Sequence, residues 1–188
     1  LYFLAGDSVF GLNEEVLLSA PLIDIITPNQ LTISADIIAS NRLTIDADLG
    51  VLLLDGAFLD APLFDISALF GSVMGTEGSM VRGGNLVIDT PGEISLITDV
   101  LGMSAGSVQF GDITVVDRNT RGIAGKVMAL DNLTTQNGSV RVISESSVDA
   151  VNVGGGFINL QALGDSSIGV GNLNIIAGGT VITQGVGD

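Results

Sequence analysis

GSVRVISESSVDAVNVG (138–154), GGFINLQALGDSSIGVG (155–171) and NLNIIAGGTVITQGVG (172–187) follow one another without a break at the end of the chain. Each row closes on Val-Gly, at Val153-Gly154, Val170-Gly171 and Val186-Gly187, and the closings are 17 and then 16 residues apart. Alternating apolar residues open the rows, as in Val140 and Val142 or Leu173 and Ile175. A period near 17 made of short strands and glycine turns is too short for a helical repeat. It suits one coil of a parallel β-helix, in which each turn of chain lies about 4.8 Å above the last. Alternation in the middle row points Ile158, Leu160 and Ala162 inward, one position out of step with Val140 and Val142. A turn one residue longer absorbs that slip, because turns lie outside the stacked strands.

Further up the chain the same style recurs. Residues 29–36 (NQLTISAD) and 41–48 (NRLTIDAD) both read N-x-L-T-I-x-A-D, twelve residues apart. Leu and Ile face inward and Thr outward with period two. Twelve residues is less than a coil, so these are successive strand-plus-turn units. GNLVIDTPGEI (84–94) matches GNLNIIAGGTV (171–181) at a distance of 87 residues, roughly five coils. Between 71 and 84 five glycines and Met74 and Met80 leave little strand pattern, which predicts a loop or insertion departing from the stack. Helical spacing over 63–74 is undercut by glycine and β-branched residues. The expected fold is all-β, a single parallel β-helical segment over 1–188 with about ten irregular coils, a rod roughly 50 Å long. Leu31, Ile33, Leu43, Ile45, Leu86, Ile88, Leu173 and Ile175 should be buried and stacked, like on like, with glycines at tight corners.

Composition removes several functions. The chain of 188 residues carries 21 acidic and 6 basic side chains, a formal charge of −15. Nucleic acid and anionic membrane surfaces would repel it. With no Cys, His or Trp, the usual acid–base and soft-metal chemistry has few carriers. No apolar run approaches the ~20 residues of a spanning helix, so membrane insertion is not expected. Leu1 follows neither Met nor a basic leader, which reads as a processed product or a fragment of a longer chain.

The GGNLVIDT stretch with its glycine turn and ISLIT, together with the N-x-L-T-I-x-A units, resembles the repeats of filamentous haemagglutinin-like exoproteins. These are large secreted adhesins of the two-partner secretion type. The resemblance is carried by 29–48, 83–98 and 138–187; the Asn-Pro-x-Gly signature of that family's secretion domain is absent from the sequence. It implies a right-handed parallel β-helix shaft, a place outside the cell or on a bacterial outer membrane, and a role in adhesion or surface structure. Surface glycans or host-cell ligands are the partners it implies.

Carboxylates are the main candidates for chemistry. Asp46 and Asp48 share one strand face, and Asp55, Asp60 and Asp65 recur every five residues. Such acids could form an oxygen-ligand calcium site, or the paired carboxyls of a β-helical polysaccharide lyase or hydrolase. Turn and solvent-face positions also favour Asp, and that is the expected role here. The nonapeptide calcium repeat is missing, since Gly154-Gly155-Gly156-Phe157 lacks its Asp; an acidic surface would bind calcium weakly at most. No catalytic residue and no cofactor is assigned. Arg118, Arg121 and Lys126 form one basic locality, expected to be a solvated loop pairing with Asp112, Asp117 and Asp131. Asn132-Leu-Thr134 and Asn137-Gly-Ser139 match the glycosylation pattern, which matters only in a eukaryotic source. A structural or adhesive segment is therefore expected, with a carbohydrate-active enzyme as the alternative. Apolar Leu1-Tyr2-Phe3-Leu4 and a last row without charged cover suggest continuation, by more polypeptide or by another copy end to end.

Overall fold

Alternation of buried and exposed residues organises the strands. In the strand Asp36–Ala47, Ile37, Ala39, Leu43, Ile45 and Ala47 point inward while their neighbours face out. The pattern breaks once, at Ser40–Arg42, where consecutive residues are exposed and the pairing register shifts. Leu17–Thr27 breaks in the same way after Ala20, and Phe58–Ser67 at Pro62. Bulges bend strands and accommodate proline, so each long strand serves as two pieces on two faces of one coil. A third, shorter strand completes the coil: Leu31–Ile33, Val51–Leu53, Val73–Gly75 and Ile94–Asp99 in turn.

The computed structural model describes residues 1–4, 8–10, 17–163, 168–169, 174–177 and 181–185. Its strands pair in parallel and stack as a β-solenoid of about seven turns, with no helix among the described residues. None is therefore long and apolar enough to cross a membrane. At the interstrand spacing, seven turns make a rod of about 34 Å, shorter than the ten coils expected. Coil length explains the difference. On the third face Leu31 lies under Val51, Val51 under Val73 and Val73 under Ile94, steps of 20, 22 and 21 residues. The 17-residue rows followed Val-Gly pairs that are not equivalent. Val153 stacks on Ile175, whereas Val140 stacks on Ile158 and Ile158 on Val181. The one-residue slip of the middle row does hold, since Val140 meets Ile158 and not Phe157. Val170, Gly171, Val186 and Gly187 lie outside the described residues.

Inside the coils run apolar ladders. Ile25, Ile45, Ile66 and Ile88 stack in successive turns, all fully buried. Beside them Ile23, Leu43, Phe64 and Leu86 form a second column. Leu31, Ile33, Leu43, Ile45, Leu86 and Ile88 thus occupy the expected core positions. Ile175 pairs in parallel with Val153, and Leu173 lies outside the described residues. The two N-x-L-T-I-x-A units sit on different faces, one pairing with Val51–Leu53 and the other with Phe58–Ser67. Ile88 and Ile175 share a face, linked through Ala105, Leu133 and Val153, so they are four turns apart and not five.

Residues 71–84 do not leave the stack. Val73–Gly75 pairs with Val51–Leu53, and Met80–Asp89 continues the column above Phe58–Ser67. The glycines there mark close backbone approach: a Cβ on Gly83 would lie 1.7 Å from the Ala61 carbonyl oxygen. Spacing between coils is otherwise uneven at one place only slightly further on. Leu86 to Met103 spans 17 residues and Ile113 to Val140 spans 27. The excess in the long coil is the loop 118–126.

Candidate functional site

One line of turns follows Leu49-Gly50, Phe70-Gly71, Pro91-Gly92, Phe110-Gly111 and Asn137-Gly138 up the rod. Backbone hydrogen bonds tie each to the turn below, as from Phe70 N to Asp48 O (2.8 Å), Gly92 N to Gly71 O (3.1 Å) and Phe110 N to Pro91 O (2.8 Å). A Cβ at Gly71 would meet the Leu49 carbonyl oxygen at 2.1 Å, so this stacking requires glycine. The residue before each glycine projects outward. Leu49 is 52%, Phe70 72% and Phe110 68% exposed. Together with Leu69 they make an apolar ridge along one edge of the solenoid.

Beside the ridge lies a cleft of about 410 Å³ lined by Asp46, Asp48, Ser67, Leu69, Asp89 and Gln109. Asp46, Ser67 and Asp89 are stacked partners in three successive coils, and Ser67 Oγ donates to Asp46 Oδ1 at 2.9 Å. The sequence-predicted pair Asp46 and Asp48 is thus brought together, Asp48 from the turn after the strand. Asp89, 43 residues from Asp46, joins them only through stacking, which no local spacing signals. Asp55, Asp60 and Asp65 do not converge. Asp55 Oδ1 accepts from Gly78 N at 3.3 Å in a turn; Asp60 pairs with Arg82, and Asp65 with Arg42 at 2.6 Å. Arg82 also lies over the Phe58 ring, 4.5 Å from its centroid. Both arginine pairs join neighbouring coils. Among the described residues no three carboxylates are placed to hold a metal ion together.

The basic locality departs from expectation. Lys126 is buried, with Nζ 2.9 Å from both Asp117 oxygens, 3.0 Å from Asp99 Oδ1 and 2.6 Å from the Arg118 carbonyl. Its side chain and those of Asp99 and Asp117 are wholly inaccessible. Arg121 donates to Asp99 Oδ1 (3.2 Å), to the Asp99 carbonyl (2.9 Å) and to the Gly83 carbonyl (2.9 Å). Pairing with Asp117 was expected; burial was not, and Asp99 takes the place given to Asp112 and Asp131. Asp112 instead accepts from Ser139 N at 2.8 Å. Asp117 Oδ1 also accepts from Val100 N (3.2 Å) and Thr98 Oγ1 (3.3 Å), and Oδ2 from Ser144 Oγ (2.8 Å).

Two cations and two carboxylates balance in this corner, unequally shared. Burial raises the Asp99 carboxyl, but the Thr120 hydroxyl, Lys126 and Arg121 outweigh it and hold Asp99 down at about 2. Asp117 has Lys126 alone as a cation, and burial pushes it above the ordinary value of 3.8. The loop bearing these groups is tightly tied: Asn119 Oδ1 accepts from Ile123 N at 2.9 Å, and Gly122 and Gly125 adopt positive φ.

Set against protein-family models, curated proteins and solved structures, the chain matches none.

Proposed function

We propose that the chain is a structural and adhesive segment of a β-solenoid shaft, secreted or displayed at a bacterial surface, like the filamentous haemagglutinin-like exoproteins its repeats resemble. The observation that carries the adhesive part is the apolar ridge of Leu49, Phe70 and Phe110 beside a cleft of carboxylate and amide acceptors. Sugars present both faces of that chemistry, C–H surface for rings and hydroxyls for acceptors. Phe70 and Phe110 stand two coils apart, about 10 Å, a distance an extended oligosaccharide bridges. Negative charge in the cleft favours neutral over anionic glycans.

Titration with neutral oligosaccharides, followed by chemical-shift changes, tests the reading. Binding weakened at least tenfold in Phe70→Ala and Phe110→Ala supports it; neutral glycans that leave the spectrum unchanged would reject the adhesive assignment. The cleft also favours a second reading, a carbohydrate-active enzyme, because it gathers Asp46, Asp48 and Asp89. Turnover of a glycan that is lost in Asp46→Asn would select that reading. Binding without turnover selects ours.

A further inference from the structure

Lys126 is the only lysine of the 188 residues, and the fold buries it completely between two aspartates. Burying an ammonium and two carboxylates costs more than apolar packing of the same volume, so a purely structural pair has little advantage in this corner. The geometry suggests a reaction instead. Nζ is equidistant, at 2.9 Å, from both Asp117 oxygens, so it sits close to the carboxyl carbon between them. Asp99 Oδ1 touches the same nitrogen at 3.0 Å. Val100 N–H and the Thr98 hydroxyl both point at Asp117 Oδ1, where charge would gather if the carbon were attacked.

We propose that Lys126 and Asp117 condense spontaneously in the folded chain into an intramolecular amide, with Asp99 carrying the protons. The ion pair first becomes its neutral tautomer, one proton passing from Nζ by way of Asp99 to Asp117 Oδ2. A water-poor pocket favours that form, and burial already pushes the Asp117 carboxyl upward. The Nζ lone pair then forms the N–Cγ bond, and the carbonyl electrons move to Oδ1 under Val100 N–H and Thr98. Asp99 takes a second proton from nitrogen and delivers it to the Oδ2 hydroxyl. The Cγ–Oδ2 bond breaks, water leaves, and Oδ1 becomes the amide carbonyl. Ammonium plus carboxylate give amide plus water, with Asp99 unchanged and no redox partner needed. Fixed contact replaces a bimolecular encounter, the factor that makes an otherwise slow condensation accessible. The product closes the loop 118–126 covalently at the point where the longest coil leaves the stack. It stands independently of any adhesive role.

Intact-mass measurement of the purified, denatured full chain tests this. We expect a mass lower by one water and, after trypsin, a branched peptide joining 83–118 to 122–141, uncut at Lys126. Fragmentation should place the branch on Asp117. A chain at its full sequence mass after prolonged incubation in the folded state overturns the proposal. So does a loss of water confined to the Asp55-Gly56 peptide, where succinimide forms, or a branch on Asp99. Lys126→Arg, which keeps the charge, should be folded by circular dichroism and show no branch. Asp99→Asn should slow cross-linking at least tenfold; an unchanged rate in that variant removes Asp99 from the reaction.

Discussion

At the scale of single residues, the ladders and the buried corner carry most of the sensitivity. Ile45 is fully buried between Ile25 and Ile66. Ile45→Ala should lower the free energy of unfolding by about 2–5 kcal/mol, read from urea midpoints, while Leu63→Ala at an exposed position should change it by less than about 0.5 kcal/mol. Asp99 gives a pH signature whose sign follows from its shift. Its carboxyl titrates at about 2 in the folded chain against 3.8 ordinarily. The stability it contributes is present above about pH 4 and lost as pH falls through 2, an effect of roughly 2 kcal/mol. Arg121 and Thr120 keep it low whether or not Lys126 has become an amide. Asp117 works in the opposite sense where its carboxyl is free: raised by burial, it costs stability when ionised and relieves that cost as pH falls. Unfolding midpoints between pH 5 and 2 should therefore fall steeply in the native chain and less in Asp99→Asn. An equal acid loss in the two would assign the effect elsewhere.

Strands and turns behave as units whose partners lie one coil away. Gly83→Ala drives a Cβ into the Ala61 carbonyl and the Phe64 ring, at 1.7 and 2.8 Å. It should lower the melting temperature by many degrees or prevent folding. Gly56 has positive φ (85°) but nothing within 4 Å of a Cβ, so Gly56→Asn, which tolerates that conformation, should melt near the native temperature. The contrast marks what could be read from sequence. Leu31, Ile33, Leu43 and Ile45 were legible because period-two alternation fixes which side of a strand faces the core. Coil length was not, because turns outside the ladders vary freely, and Val-Gly pairs recur without being stacked. Gly71 and Gly83 looked like a loop since composition does not distinguish flexible glycine from glycine under a neighbouring carbonyl. The Asp46 and Asp48 pairing was visible within one strand and turn. Asp89, Gln109 and Asp99 were hidden, for each reaches its partner through coils whose lengths, from 17 to 27 residues, no local motif announces.

Over the whole molecule, the charge of −15 is distributed on a rod with an apolar interior. Rods of like charge repel side to side at low salt and do so less above about 0.1 M, where the screening length falls to about 10 Å. The shaft reading adds that segments continue end to end; the residues on which the sequence argument relied, 186–188 among them, lie outside the described residues. Light scattering across a concentration series should show lengthening species if copies associate by their ends. A single monomeric species at every concentration and salt would confine the shaft to one continuous polypeptide. Separately, the stacked turns have a kinetic meaning. Nearly every strand contact joins residues one coil apart, about 20 in sequence, however many coils the protein has. The entropy of closing each contact is then the same at the third coil as at the seventh. A completed coil presents a ready row of backbone donors and acceptors to the next stretch of chain. Folding can advance as a front, one turn at a time, at a speed set by the coil and not by the length of the protein.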